Sequence, residues 1–444
     1  VLRLHDTATG EVRELAQREP GRVSMYVCGP TVYDVPHIGH GRAALTYDIL
    51  RRYLEWTGVE VHHVSNITDI DDNIINRANE LGRTSEDVAA EFEGAWYDAV
   101  DALGVLRPTA DPHATAFVDR MLDLVGTLLD KGLAYETTDG VYLDTERVPG
   151  YGLLAQQPLE DLRAGTRVEA NEEKRSPLDF VLWKKAKPGE PSWDSRWGPG
   201  RPGWHTECVV MSLDLLGDGF DLHAGGLDLK FPHHENERAQ AVALGYAFAR
   251  HWMHHAFVEV GGVKMSKSLK NFTSLVDLLA RHDARAYRLL VLRSHYRSPM
   301  EVTPATVGDA EAGLERLDSF ARRFPSDSGV EPDADALARF RELMDDDLRS
   351  PQATALLFDL VGRANAGGAD ADAAAAAGHE IARAFGLPLH GESQEIDAET
   401  AALVAARDAA RAARDFGRAD AIRDELQAAG WVVEDTPDGT TVHR

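Results

Sequence analysis

Apolar and polar residues alternate over 22–28, with Val23, Met25 and Val27 on one face, and Gly29-Pro30 follows; the pattern predicts a short strand closed by a turn. Over 41–56 the spacing becomes helical, with Leu45, Ile49, Tyr53 and Trp56 in register. Residues 59–64 return to strand character and lead into Asn66-Ile67-Thr68-Asp69-Ile70-Asp71-Asp72. Strand, helix, strand is the beginning of a nucleotide-binding βαβ fold, whose ligands gather beyond the carboxyl ends of the strands. Cys28 and Thr68 fall at those ends.

From 115 to 200 the order is helix, hairpin and turn-rich stretches, punctuated by Arg175-Ser176-Pro177 and Lys187-Pro188-Gly189-Glu190-Pro191. This segment reads as an insertion between two halves of one fold. A strand resumes at Asp221-Leu222-His223, followed by a Gly-rich turn and a helix over 235–244; a further short strand covers 257–260. Beyond Pro304 the chain is helical, with Leu314, Leu317 and Phe320 in register, and 324–335 is a polar linker. The alanine-rich stretch 367–378 fits a solvated helix or a flexible connector. The end, 395–444, reads as a helical hairpin with Val432-Val433 and a tail. The expected class is α/β: a Rossmann-like parallel-sheet domain split by an insertion, then a helical bundle and a small C-terminal unit. Its expected parts are 1–114 and 201–255 for the two halves, 115–200 for the insertion, 256–303 for a lysine-loop region, 304–390 for the bundle and 391–444 for the last unit.

A chain of 444 residues with 43% apolar content supports several packed cores. It carries no run of eighteen apolar residues and no charged-then-apolar leader, so a cytoplasmic protein with no membrane span is expected. The net charge of −26 argues against indiscriminate nucleic-acid binding, though not against a specific RNA held by local basic patches. The run Asp345-Asp346-Asp347 reads as a solvated helix face or end.

Two short motifs change this picture. His37-Ile38-Gly39-His40 stands where the first helix begins, and Lys264-Met265-Ser266-Lys267-Ser268 follows far downstream. Imidazoles at a helix N-terminus donate to phosphate oxygens, and the helix adds its own positive potential. Lysines on a loop meet the charge that builds on departing pyrophosphate. His37, His40, Lys264 and Lys267 together describe a site that activates a carboxylic acid with Mg2+-bound ATP. The only two cysteines, Cys28 and Cys208, join His233 and Glu237 as a second constellation. Each half has a plainer reading, the cysteines as buried hydrophobes and the His–Glu pair as surface residues. Two thiolates, an imidazole and a carboxylate suit one four-coordinate zinc ion per chain. Zinc beside an adenylating site selects a thiol over a hydroxyl, which points to L-cysteine as substrate.

Cys28 to Tyr33, His37 to His40, Asn66 to Asp72, Gly203 to Cys208, Phe231 to Glu237 and Lys264 to Ser268 together make the chain resemble the cysteinyl-tRNA synthetase family, of class I, over nearly its whole length. The resemblance implies that Cys28, Cys208, His233 and Glu237 hold zinc. Gly29, Thr68 and Trp204 would lie at the substrate, His223 and Asp228 near the adenosine, and Lys267 on ATP. It also implies tRNA(Cys) as acceptor and an anticodon-binding end carrying Arg411, Phe416, Asp420 and Asp435. Trp204 also reads as core, Asp228 as a helix cap and Phe416 as core of the helical hairpin. Asn73, Lys270 and the tail Val442-His443-Arg444 depart from the family pattern. A monomer meets every requirement. The rival readings are a ligase that passes cysteine to an amino-sugar, a non-catalytic RNA-binding relative and a zinc-stabilised structural domain.

Overall fold

The computed structural model describes residues 1–157, 161, 173–261, 263–264, 274–391, 397–436 and 439–443. Two compact units emerge, Val1–Glu315 with Val330–Pro388, and Arg316–Gly329 with Leu389–Arg444. The first opens with a hairpin, β1 (Arg3–Asp6) and β2 (Glu11–Glu14), and then builds a sheet from β3 (Arg22–Val27) and β4 (Glu60–Ser65). Between these strands runs α1 (Ile38–Trp56), and α2 (Asp72–Leu81) and α3 (Ser85–Ala102) follow.

The helix Val118–Asp130 and four antiparallel strands, β5 (Ala134–Glu136), β6 (Gly140–Leu143), β7 (Phe180–Lys185) and β8 (Gly200–Pro202), occupy the expected insertion. The chain returns through the helix Trp204–Leu216 to β9 (Leu222–Gly226) and β10 (Trp252–His255). The central sheet has the order β10-β9-β3-β4 and every pairing in it is parallel. Successive strands are added on one side of β3 as β4 and on the other as β9 and then β10, so the strand order reverses between β3 and β9, and the crevice at their carboxyl ends is the place where such sheets receive ligands.

A smaller sheet follows, with β11 (Val258–Val260) between β12 (Val263–Lys264) and β13 (Met300–Glu301). Arg42 ties α1 to it: Nη1 donates to the Phe257 carbonyl at 2.6 Å and Nη2 to that of Ser298 at 2.5 Å. Farther along α1, Asp48 receives Arg288 at 2.5 Å and Arg52 at 2.8 Å, with Asp48 and Arg288 fully buried.

Three expectations are corrected. The alanine-rich stretch is the helix Ala371–Ala384, buried along Ala374, Ala375, Ala377 and Ile381; its small side chains let it pack closely against the helix Ser350–Ala366. Asp347 is buried, not solvated. It accepts from the Tyr296 hydroxyl at 2.5 Å, the His5 amide at 2.9 Å and the Arg297 guanidinium. In the smaller unit the tail is a β-hairpin, Val432–Thr436 paired with Gly439–His443, after the helices Ala398–Ala412 and Phe416–Ala428. Val433 and Val442 face each other across it and pack on Leu426 and Trp431, which makes Val442 part of that small core.

Candidate active site and metal centre

The turn after β3 is held by close backbone approach. A Cβ on Gly29 would sit 1.7 Å from the Asn66 carbonyl oxygen, so no side chain fits there. The Gly29 amide donates to Asn66 Oδ1 at 2.9 Å, and Thr68 donates its amide to the Pro30 carbonyl at 3.0 Å. The two strand ends are thus locked together. Thr68 is buried; its hydroxyl accepts from Asn66 Nδ2 at 3.0 Å and donates to Glu207 Oε2 at 3.1 Å. Burial, reinforced by Cys208, pushes the Glu207 carboxyl well above its usual range.

His37 caps α1, and the cap is reciprocal. The His40 amide donates to His37 Nδ1 at 3.3 Å and the His37 amide to His40 Nδ1 at 3.1 Å. With both Nδ1 lone pairs engaged, each ring carries its proton on Nε2 and is a donor there. The rings stack with centroids 3.7 Å apart. No acidic residue lies in the first turn, so the positive end of α1 is uncompensated by its own side chains. Both histidines line a cavity of about 450 Å³ that also takes in Cys28, Gly29, Trp204, Gly226, Asp228 and Phe257. Asn73, on the same wall, donates to the Asp71 carboxylate. Asp228 is exposed, and no side chain caps the π-helical turn Lys230–His234 that follows it.

Behind Cys28 lie the other proposed metal ligands. His233 lies in that π-helical turn and Glu237 in the helix Glu235–Ala243 that continues from it, so the pair meets although the α-helix itself begins after His233. One ligand atom from each of Cys28, Cys208, His233 and Glu237 lies within 4.8 Å of all the others. The two sulfurs are 3.8 Å apart, both thiols are free, and His233 Nε2 is 2.9 Å from Glu237 Oε1. A zinc tetrahedron with Zn–S of about 2.3 Å has an edge of about 3.8 Å, so the sulfurs already stand at the spacing that zinc requires. His223 and His234 form an alternative set with the same Cys28 and Glu237. His223 does not line the cavity: it is fully buried with Nε2 2.6 Å from Glu237 Oε2.

Charge is organised around this cluster. Burial opposes ionisation of Glu237, but His223 and His233 prevail and hold its carboxyl well below the usual range. Burial works against His233 too, yet Glu237 and Cys208 raise it to about 10. The hydrogen bond from Cys28 draws the Cys208 thiol down to about 6, while burial pushes Cys28 up. Trp204 is partly exposed and stacks on His233 with centroids 4.0 Å apart, which sets the core reading aside. Sequence reasoning missed His234, whose Nε2 is 3.3 Å from Cys28 Sγ and whose Nδ1 is 2.8 Å from His254 Nε2. Its position beside His233 was the available signal.

Lys264 belongs to β12; its side chain, Lys267 and Lys270 lie outside the described residues. In the smaller unit Phe416 is 62% exposed, so it is not core, and Asp415 caps its helix. Arg411 and Arg407 both bind Asp435 Oδ1 at 2.5 Å, and Asp420 pairs with Arg423 at 3.2 Å. His443 and Arg444 have no described side chain. Among the described residues no helix is long and apolar enough to cross a membrane.

Residues 14–312 match the model of the class I (C) tRNA synthetase catalytic domain, 339–389 the DALR domain, and 393–442 the cysteinyl-tRNA ligase anticodon binding domain. A cysteine–tRNA ligase of Halorhodospira halophila is 46% identical over 459 aligned residues, covering 100% of both chains. One from Syntrophobacter fumaroxidans is 43% identical and covers 99% of each. Among solved structures, Mycobacterium tuberculosis methionyl-tRNA synthetase bound by methionyl-adenylate superposes with a TM-score of 0.61 at 14% identity, covering 82% of this chain and 90% of that one. The Agrobacterium radiobacter leucyl-tRNA synthetase ternary complex gives 0.62 at 12%, covering 85% of each. These two establish the fold; the full-length relatives and the catalytic and anticodon-binding domain models establish more. The chain belongs to the cysteine–tRNA ligases, a family of class I aminoacyl-tRNA synthetases.

Proposed function

We propose that the chain joins L-cysteine to tRNA(Cys) in two steps, through cysteinyl-adenylate. The cysteine carboxylate attacks the α-phosphorus of ATP, supplied as its Mg2+ complex; the α–β anhydride bond breaks and pyrophosphate leaves. A terminal ribose hydroxyl of the tRNA then attacks the activated carbonyl and AMP departs. His37 and His40 present Nε2–H donors from an uncompensated helix end, which suits the charge that develops on the α-phosphate. Lys264 and Lys267 are assigned to the leaving pyrophosphate. Positioning and charge stabilisation carry both steps, with no covalent enzyme intermediate.

Cys28, Cys208, His233 and Glu237 would hold one zinc ion. Zinc there would favour a thiol ligand, as thiolate, over the hydroxyl of serine. The observation that carries the reading is that Cys28 belongs both to the four-donor cluster and to the cavity wall shared with His37 and His40. Trp204, stacked on His233, closes the same corner of the cavity.

The test is ATP–pyrophosphate exchange with cysteine or serine, run with metal analysis and tRNA(Cys) charging. Exchange with cysteine alone, about one zinc per chain, and charging are expected. Exchange without charging would move the acceptor to a small amine; absence of zinc would remove the metal assignment.

A further inference from the structure

Arg42 lines the cavity two residues after His40 and is only 1% exposed. Among the described residues no carboxylate pairs with it, and burial lowers its pKa to about 10, so the guanidinium stays charged at physiological pH. Its partners are backbone carbonyls. Nη1 donates to Phe257 at 2.6 Å, and Nη2 to Ser298 at 2.5 Å and to His295 and Tyr296 at 3.3 Å. A buried charge without a counter-ion costs stability that an apolar side chain of the same size would not. What the guanidinium adds is geometry, because one planar fork fixes several acceptors at once.

Those carbonyls belong to two segments. Phe257 precedes β11 and His295 to Ser298 precede β13, and the two strands pair in parallel with Val258 opposite Met300. β11 then turns back into β12, where Lys264 stands opposite Glu259. Arg42 thus anchors to α1 the strand pair that leads into the lysine motif. Beyond that motif the chain meets the start of α1 again: Leu275 donates its amide to the Pro36 carbonyl at 2.9 Å, and Ser274 forms a backbone bridge with His37. We propose that Arg42 is a positioning residue for the activation step: it holds the entry to the lysine motif at a fixed distance from His37 and His40, so that both motifs act on one nucleotide. This rests on the two-step reading above. Once pyrophosphate has left, that alignment has no further task, and transfer to tRNA proceeds without it.

The test measures cysteine-dependent pyrophosphate exchange and, separately, single-turnover transfer to tRNA(Cys) from preformed cysteinyl-adenylate. It uses wild type, Arg42→Met, Arg42→Lys, Lys264→Ala and the double variant of Arg42→Met with Lys264→Ala. Arg42→Met should lower kcat for exchange about 10²-fold, as a displacement of about 1 Å does, with KM for ATP and cysteine changed by less than about threefold. Arg42→Lys keeps the charge without the fork and should recover about tenfold of that loss. Transfer should stay within about twofold of wild type in both Arg42 variants. In the double variant the loss should be smaller than the product of the two single losses, because Arg42 acts through the strand that bears Lys264. Equal loss in exchange and transfer would make Arg42 merely structural, and losses that multiply would separate it from the lysine motif; either result overturns the proposal. If Arg42→Met does not fold, Arg42→Lys carries the same two comparisons. If wild type gives no exchange, the two-step reading fails instead. Hydrogen exchange at the Met300 amide, which donates to Phe257, should still quicken in Arg42→Lys, and no change there would mean that Arg42 does not hold the strand entry.

Discussion

In the larger unit the chemistry is internal. Cys208, His233 and Glu237 are at most 1% exposed, Cys28 alone of the four reaches the cavity, and each group's charge is set by its neighbours. In the smaller unit it is external: Phe416 stands in solvent, and Asp435 is half-exposed between two arginines. Buried polar groups depend on one another, so losing one disturbs the rest. An exposed ring matters only when a partner covers it.

Acid should separate the two units most sharply. Burial lowers His63, His205 and His255 to about 3 and His251 to about 4, all in the larger unit. The unfolded chain takes up these protons near pH 6.5, so below that value it binds more protons than the folded state. Stability of the larger unit therefore falls steadily from pH 6.5 toward pH 3. In the smaller unit Asp435 is lowered by Arg407, and its contribution is present above the ordinary Asp pKa and lost only as pH falls below it. Melting followed by hydrogen exchange at pH 7, 5 and 4 should show the larger unit opening first; simultaneous loss would contradict the contrast.

Next in size is Cys208→Ala, which should abolish zinc binding and reduce selection of cysteine over serine by up to about 10⁴-fold. Metal analysis and exchange assays measure both, and the smaller unit should be untouched. Asp48→Asn leaves the buried Arg288 without its carboxylate and should destabilise the larger unit by about 3–5 kcal/mol in urea titration. The smallest change is Phe416→Ala. It should weaken charging by about 1–3 kcal/mol if the ring stacks on a base, with pyrophosphate exchange unchanged. A loss of exchange would mean that the ring's role is not confined to tRNA.

Residues whose chemistry is rare and whose spacing is local were legible in the chain. The strand–helix–strand start, the histidines at the α1 cap and the His233–Glu237 pair belong to that class, whereas Cys28 and Cys208, 180 positions apart, stood out by rarity alone. The surroundings of His255 were not legible, because Tyr47 comes from α1 and Gly226 from β9, and both reach it only through tertiary packing. The alanine-rich helix was misread because small side chains give a weak hydrophobic signal even where they pack tightly. Asp347 was misread for the opposite reason: composition says solvated, whereas Tyr296, Arg297 and the His5 amide supply the partners that make burial tolerable.

The strand order carries a consequence for synthesis on the ribosome. β3 pairs early with β4, but its other neighbour, β9, comes much later; Ser24 and Asp221, which bond across that seam, are 197 positions apart. At about 5–20 residues per second the nascent chain waits roughly 10–40 s before that edge is covered. For nearly all of this interval Cys28 lacks Cys208, and for the whole of it His233 and Glu237, and a row of strand amides stays open to wrong pairing. Oxidants or a shortage of metal should therefore harm newly made chains more than finished enzyme.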